Sequence, residues 1–322
     1  MGPSWPTARR PRCPPARDLA RRPYRGGVSA WTIRPMRLDD AVAAERLSDE
    51  SFHELDLRTT PSSLPAPRRR EDAWREAWVR RTEHLVRTDP GGCWVAEDDD
   101  GMVGFATSYR RELMWCLVTY AVAPGRQAAG VGRPLLEAAL GHSVGCLRGM
   151  IASSVDPRAA RRYHQAGFTL HPQMVLSGLV DRSAVPHDAW DKVREGTPGD
   201  RDLLDSLDRR TRGAAHGDLH DVLAASYRLL VSDTTTGSGY AYVAPTGSPV
   251  LVAASNRRTA ARLTWAALAD APGEVELAHV TGANDWAVDV GMAARLELRQ
   301  SGYLALRGMK PPVPYVHSGA LL

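Results

Sequence analysis

The chain has 322 residues, of which 43% are hydrophobic, and this is enough for two cores of about 150 residues each. The formal net charge is +4, but the first 27 residues hold seven arginines against one acid, Asp18, so the remainder carries −2. This balance excludes the basic surplus that is typical of nucleic-acid-binding proteins. No CxxC pair occurs among the four cysteines, which argues against a metal site or a disulfide framework and favours a reducing cytoplasm. They are Cys13, Cys93, Cys116 and Cys146.

Residues 1–28 are rich in proline and arginine and contain no apolar run of seven or more. The segment is therefore predicted to be neither a secretory signal nor a membrane span, and we expect no membrane partner. We predict a disordered leader over 1–28; an arginine-rich targeting or nucleic-acid arm is the alternative. Two domains are expected to follow, at 29–182 and 183–322.

The first domain is predicted to open with a strand at Trp31 and a helix after Asp39. A second helix over 71–88 carries Trp74 and Trp78 four residues apart on one face. Such a pair is more typical of a core than of a ligand site.

Three strands are predicted next, at 93–97, 102–109 and 114–122, the first two joined by the acidic turn 98–101. The third strand leads into the stretch 121–140, AVAPGRQAAGVGRPLLEAAL. This stretch reads as a strand end, a loop over 127–132 and an amphipathic helix with Pro134 in its first turn.

Small residues in this loop are expected to leave backbone N–H groups bare at the positive end of the helix, where phosphate oxygens bind. The loop is not a Rossmann fingerprint, because Leu135 stands where a third glycine is needed. It is not a Walker loop either, because it ends in Gly-Arg-Pro.

A second informative segment covers 150–170. After a short strand, Asp156 is predicted to cap a helix that has Pro157 in its first position. Gly167 ends that helix, and Phe168 starts another strand.

Together these two segments resemble the GNAT acyl-CoA N-acyltransferases. Val122-Ala123-Pro124 followed by Gln127 to Gly132 is similar to the family's motif A, and DPRAARRYHQAGF (156–168) is similar to its DPxAxxxYxxxGF region. The resemblance implies an α/β fold in which a mixed, mostly antiparallel sheet has helices on both faces. It also implies that acetyl-CoA is the cosubstrate, with no metal.

In the resembled family the pantetheine arm lies between two splayed strands and pairs with backbone groups, here near Ala121, Val122 and Ala123. Asp156 is implied to lie near the cofactor, although a helix cap is its primary role on physical grounds. The remaining implied cofactor contacts are the loop residues that hold the diphosphate: Gln127, Ala128, Ala129, Gly130, Val131, Gly132 and Arg133.

The implied reaction is direct attack of a primary amine on the acetyl thioester, the acceptor being a small molecule or a protein amine. Tyr163 corresponds to the family's general acid, which protonates the leaving thiolate. Core packing beside Ala159 and Ala160 is the alternative role for this tyrosine.

The general base is not predicted, because Val118 and Thr119 occupy the positions where family members often carry a glutamate. Candidates by topology are Glu112, His53 and Glu54. The C-terminal carboxylate of Leu322 is a further hypothesis.

The second half resembles a degenerate copy of the first. Residues 250–268, VLVAASNRRTAARLTWAAL, parallel the motif A stretch but have alanine and arginine in place of its glycines. We therefore expect this copy to bind no CoA. A final strand is predicted at 301–309, and the polar stretch 209–220 is a candidate wall of the acceptor site.

Two functions remain from the sequence. One is a cytoplasmic N-acetyltransferase, monomeric or homodimeric; the other is a CoA-binding sensor or partner module without transferase activity.

Overall fold

The computed structural model describes residues 31–322, so the predicted leader at 1–28 lies outside the described residues. Among the described residues, none of the helices is long and apolar enough to cross a membrane. The helices are α1 (Ala41–Thr59), α2 (Asp72–Thr88), α3 (Gly132–Gly141), α4 (Pro157–Gln165), α5 (Arg201–Thr211), α6 (Leu219–Ala224), α7 (Arg257–Ala269) and α8 (Asp285–Ala293). The strands are β1 (Thr32–Pro35), β2 (Cys93–Asp98), β3 (Gly101–Arg111), β4 (Met114–Val122), β5 (Arg148–Ser153), β6 (Thr169–Leu179), β7 (Arg194–Glu195), β8 (Arg228–Thr234), β9 (Gly237–Val243), β10 (Pro249–Ala254), β11 (Glu274–Thr281), β12 (Glu297–Arg307) and β13 (Tyr315–Val316).

The larger sheet has eight strands in the order β1-β2-β3-β4-β5-β12-β6-β11, and only β4 and β5 pair in parallel. Helices cover both faces, since successive side chains of a strand point to opposite sides. On one face Trp78 of α2 packs in a cluster with Phe105 and Cys116. On the other face Leu135 of α3 and Tyr163 of α4 pack in a separate cluster, which contains Trp115 and Leu117. The expected α/β fold is confirmed.

Strands from the two halves of the sequence interleave at the far end of this sheet. β12 lies between β5 and β6, and β6 in turn lies between β12 and β11. Each half thus contributes a strand that is flanked by strands of the other. The predicted boundary near 182 divides the chain in sequence, but the sheet runs across it.

The smaller sheet has the order β13-β10-β9-β8-β7, and α7 packs on it. The expected strand at 301–309 is β12, which extends from Glu297 to Arg307. It is not the final strand, because the chain returns to place the short β13 antiparallel to β10. This pairing covers the edge of β10 that β9 leaves open.

Candidate active site

The parallel pair β4 and β5 separates after a short contact. Residues 114–117 pair with 148–151, and no pairing between these strands is found beyond Leu117 in the described chain. On its other side β4 shifts register against β3 between Thr119 and Leu117, so Val118 forms an irregularity where the strands part. The opening leads into a cavity of about 760 Å³ that both strands line.

The loop after β4 is tightly wound and ends at an uncapped helix. Turn hydrogen bonds join Arg126 N to Ala123 O at 3.0 Å and Ala129 N to Arg126 O at 3.3 Å. Ala128 and Gly130 adopt left-handed backbone angles, with φ of 71° and 86°. Helix α3 then begins at Gly132 without a side-chain cap, and Gly130 and Gly132 both line the cavity.

Gly132 is required by its surroundings. A Cβ at this position would lie 2.4 Å from the Tyr120 hydroxyl oxygen, which is far inside van der Waals contact. The loop and the phenol of Tyr120 therefore approach each other as closely as a glycine permits.

Most of the residues predicted to contact the cofactor line the cavity. These are Ala121, Val122, Gln127, Ala128, Gly130, Gly132 and Asp156. Four others do not line it: Ala123, Ala129, Val131 and Arg133. Val131 is buried in the core, and Arg133 forms an exposed ion pair with Glu137 at 2.8 Å.

Gln127 also has a structural role. Its side-chain amide donates to Val122 O at 3.2 Å, so it braces the loop against the end of β4.

Tyr163 lies on the cavity wall. Its ring is 5% exposed, sits edge-on to Tyr120 with centroids 6.3 Å apart, and packs in the cluster that contains Leu135. Burial raises the pKa of the Tyr163 phenol well above its usual value, so the hydroxyl is protonated at neutral pH. The residue is therefore both a core side chain and a proton-bearing group at the cavity.

Asp156 caps α4 as predicted. Its carboxylate accepts from Arg158 N at 2.8 Å and pairs with the Arg158 guanidinium at 2.9 Å. Burial opposes ionisation, but these contacts with Arg158 hold the pKa of Asp156 below its usual value. Asp156 follows β5, on the other side of the opening from β4, and it lines the cavity.

None of the candidate general bases lines the cavity. Glu112 pairs with Arg209 at 2.7 Å, and Glu54 is a surface residue that faces Arg58 at 3.9 Å. Leu322 is buried, and its carbonyl oxygen accepts from the Tyr315 hydroxyl at 2.9 Å. His53 is partly buried and is also absent from the cavity wall.

Sequence reasoning did not name the residues that form the cavity wall on the side of α1 and α2. Arg70 and Arg81 line it with Trp78, and each guanidinium lies over the Trp78 ring, at 5.7 and 5.6 Å from the ring centroid. Trp78 is thus buried as predicted and also forms part of the wall, whereas Trp74 of the predicted pair is 41% exposed. The helical spacing gave a core position but could not indicate which side chains would meet there.

A second missed contribution comes from the C-terminal half. His279 of β11 lines the cavity, as do Gly319 and Ala320 near the chain end. His279 stacks on His317 with centroids 4.7 Å apart, and burial lowers its pKa to about 4, so the ring is neutral. No local sequence signal reveals this, because only the pairing of β11 with β6 brings His279 to the first half.

The polar stretch 209–220 does not line the cavity. Instead, Asp208, His216 and His220 bring ligand atoms within 4.8 Å of one another in the interior. The Asp208 carboxylate accepts hydrogen bonds from the backbone and ring N–H of His216, from the Tyr240 hydroxyl and from His220. A satisfied buried network of this kind accounts for these residues by itself.

Comparison with known family models gives a match in the first half of the chain only. The model of the acetyltransferase (GNAT) family matches residues 50–168. No curated protein sequence matches the chain.

Solved structures share the fold over most of the chain. A Pyrococcus horikoshii protein assigned as an acetyltransferase has a TM-score of 0.67 at 18% identity, covering 92% of this chain and 96% of that one. A GCN5-related N-acetyltransferase from Sphaerobacter thermophilus has a TM-score of 0.54 at 17% identity, covering 89% and 98%. Another from Kribbella flavida has a TM-score of 0.55 at 14% identity, covering 86% and 71%.

The similarity in structure extends through both halves, whereas the match to the family model ends at Phe168. The match to the family model is thus confined to residues 50–168, and what the solved structures share with the whole chain is the fold.

Proposed function

We propose that the protein is an N-acetyltransferase that moves an acetyl group from acetyl-CoA to a primary amine. The observation that carries this proposal is the coincidence of three features in one cavity: the separation of β4 and β5, the uncapped start of α3, and the buried hydroxyl of Tyr163. An uncapped helix N-terminus binds phosphate oxygens, and an unpaired strand edge offers hydrogen bonds to an extended amide chain.

In this proposal the diphosphate of CoA lies on the amides of residues 127–133. Its pantetheine arm runs along residues 118–122 of β4, where the backbone edge has no partner strand. The arm thereby carries the thioester into the opening between β4 and β5, inside the cavity that Tyr163 lines from one face of the sheet and Trp78 from the other.

The reaction is direct transfer. A neutral amine attacks the thioester carbonyl, the C–N bond forms, and the C–S bond breaks. Tyr163 gives its proton to the departing thiolate, the amine loses a proton to solvent, and Tyr163 regains a proton from solvent. Holding both reactants in one cavity converts a bimolecular encounter into an intramolecular step.

Release of CoA thiol from acetyl-CoA, measured with a panel of primary amines, tests the proposal. Tyr163→Phe should lower kcat by about 10²- to 10⁴-fold, the usual contribution of a general acid, while the affinity for CoA stays the same. Tyr303→Phe is a matched control, because Tyr303 lies on β12 and does not line the cavity. An unchanged kcat in Tyr163→Phe would leave this tyrosine with a packing role only.

The second candidate function is a CoA-binding sensor or partner module. The observation that favours it is that Asp156 is the only carboxylate on the cavity wall among the described residues, and it is engaged by Arg158. CoA binding with no thiol release for any amine would support the module and contradict the transferase.

A further inference from the structure

The cavity has two sides, which lie on the two faces of the large sheet. Tyr163 and the start of α3 lie on one face, with Leu117. Trp78 of α2 lies on the other face, in the cluster that contains Cys116. Because the cavity includes side chains from both faces, a molecule that enters at the α3 side meets Trp78 and its neighbours at the far side.

Three arginines from α1, α2 and the segment between them line the cavity: Arg58, Arg70 and Arg81. They differ in whether a carboxylate of the protein lies close enough to neutralise the guanidinium charge. Arg70 is bound by Glu45 at 3.1 Å and by the Ser48 hydroxyl at 2.9 Å.

Arg58 lies 3.9 Å from Glu54 of its own helix, so Arg58 and Arg70 each have a carboxylate nearby.

Arg81 has no carboxylate partner among the described residues. Its guanidinium lies over the Trp78 ring, and its Nε is enclosed without a hydrogen-bond partner. Burial lowers the pKa of Arg81 to about 10, with Arg70 adding to that effect, yet the group stays charged at neutral pH. An enclosed cation that lacks a counter-charge is costly unless a ligand supplies one.

The shape of the group indicates the chemistry of that ligand. A guanidinium presents parallel N–H donors that match the two oxygens of a carboxylate. The Arg81 guanidinium lies over the Trp78 ring, and apolar side chains such as Phe52 and Leu55 also line the cavity. This combination fits a small organic acid.

These arginines also affect the pKa of the acceptor amine. A positive field lowers the pKa of a nearby ammonium, because the charged form is disfavoured. An acceptor held here by its carboxylate therefore presents its amine in the neutral, nucleophilic state more readily. This offers a physical substitute for the glutamate that is missing at Val118 and Thr119.

We propose that the acceptor is a primary amine that also bears a carboxylate, and that Arg81 binds this carboxylate over the Trp78 ring. The proposal rests on the transferase function above and names its substrate class. Arg81 would then determine specificity and would make no contact with the atoms that react.

The test uses amines in matched pairs that differ only in carboxylate and carboxamide: glycine and glycinamide, phenylalanine and phenylalaninamide, 4-aminobutyrate and 4-aminobutyramide. For at least one pair, kcat/KM for the carboxylate should exceed that for the carboxamide. Arg81→Gln should reduce that preference by about 10- to 100-fold, the range of hydrogen bonds to charged groups. Arg81→Lys keeps the charge but loses the forked pair of N–H donors, so its preference for the carboxylate should lie between those of the wild type and Arg81→Gln.

Arg80→Gln is the matched control, because Arg80 is the adjacent residue of α2 and its side chain is 60% exposed beside Glu76. It should leave both kcat/KM and the preference unchanged. In all three variants the Kd for CoA, measured by calorimetry, should stay at the wild-type value. A loss of CoA affinity in Arg81→Gln alone would place Arg81 at the cofactor and overturn the proposal.

Thiol release with carboxamides as fast as with carboxylates would also overturn it, while leaving the transferase function intact. Absence of release with every amine would contradict the transferase function and, with it, this proposal. Calorimetric titration of 4-aminobutyrate into the CoA-saturated protein gives a readout that does not need turnover. Equal affinity for 4-aminobutyrate in the wild type and Arg81→Gln would by itself overturn the assignment of Arg81 as the carboxylate-binding residue.

Discussion

The two halves of the molecule contain the same local unit, a strand, a turn and a helix, but they use the helix start in opposite ways. In the first half, α3 begins without a side-chain cap after a loop that includes Gly130 and Gly132. In the second half, the Asn256 side chain caps α7 by accepting from Thr259 N at 2.9 Å. The start of α7 is therefore closed by one of its own side chains, whereas no side-chain cap is found at the start of α3.

The strand edges differ in the same sense. Beyond Leu117, β4 has an open edge that faces the cavity. The equivalent edge of β10 is paired with β13 through Val252 and Ala253, and Ala254 N also donates to Pro314 O at 3.3 Å. An edge that is already paired cannot accept an extended ligand. In the proposed mode of binding, CoA needs the uncapped helix start and the open strand edge together, and the second half offers neither.

The largest effect is expected from the buried network of the second half. Asp208→Asn should lower the free energy of unfolding by about 3–5 kcal/mol, because it removes the carboxylate that accepts from His216 and His220. Urea unfolding measures this. Asp202→Asn, an exposed position on the same helix, should change stability by no more than ~0.5 kcal/mol. A small loss in Asp208→Asn would mean that this cluster is a ligand site rather than part of the framework.

The second effect is a dependence on pH that also arises in the C-terminal half. Burial, and then Arg212, lower the pKa of His216 to about 4, below its usual value of 6.5. The unfolded chain therefore binds a proton that the folded chain does not, and stability should fall as pH drops from about 6.5 to 4. The loss from this group is about 3 kcal/mol.

Urea unfolding at several pH values checks this, with His216→Gln as the comparison variant. The slope between pH 6.5 and 4 should be shallower in the variant. An equal slope would show that His216 is not the group that titrates.

The third effect concerns the first half alone. Gly132→Val should weaken CoA binding by about 100-fold, because the Cβ meets the Tyr120 hydroxyl and the side chain covers amides that would make charge-assisted hydrogen bonds. Gly273→Val is the control, since a Cβ there meets no atom within 4 Å and the position lies outside the cavity. Equal CoA affinity in both variants, measured by calorimetry, would argue against a diphosphate at this loop.

The smallest effect is expected from the cap of α7. Asn256→Ala should cost about 1 kcal/mol of stability, the usual value of a helix cap, and leave CoA affinity unchanged. Thermal unfolding and calorimetry on the same sample measure both quantities. A fall in CoA affinity would show that the second half takes part in binding.

The sequence predicted those features that are local. Gly130, Gly132, Asp156 and Tyr163 belong to short segments in which a strand passes through a loop into a helix, and the spacing of residues reports on such units directly. The strand 114–122 was placed at its observed bounds.

Features that depend on distant pairing were not predictable. The insertion of β12 between β5 and β6, and the return of β13 to β10, join residues more than 60 positions apart and leave no periodic signal. Likewise His279 lies at the cavity only because its strand pairs within the large sheet. The sequence shows Arg81 only as one of several charged residues of α2, and its place on the cavity wall depends on how α2 packs. The polar stretch 209–220 was misjudged because the buried aspartate that satisfies it, Asp208, precedes it.

Calorimetric titration of CoA followed by a crystal structure of the complex tests the central claim most directly. We predict one CoA per chain, with its diphosphate on the amides of residues 127–133 and its pantetheine arm between β4 and β5. Two CoA molecules per chain, or a single one against β10 and the start of α7, would contradict the account.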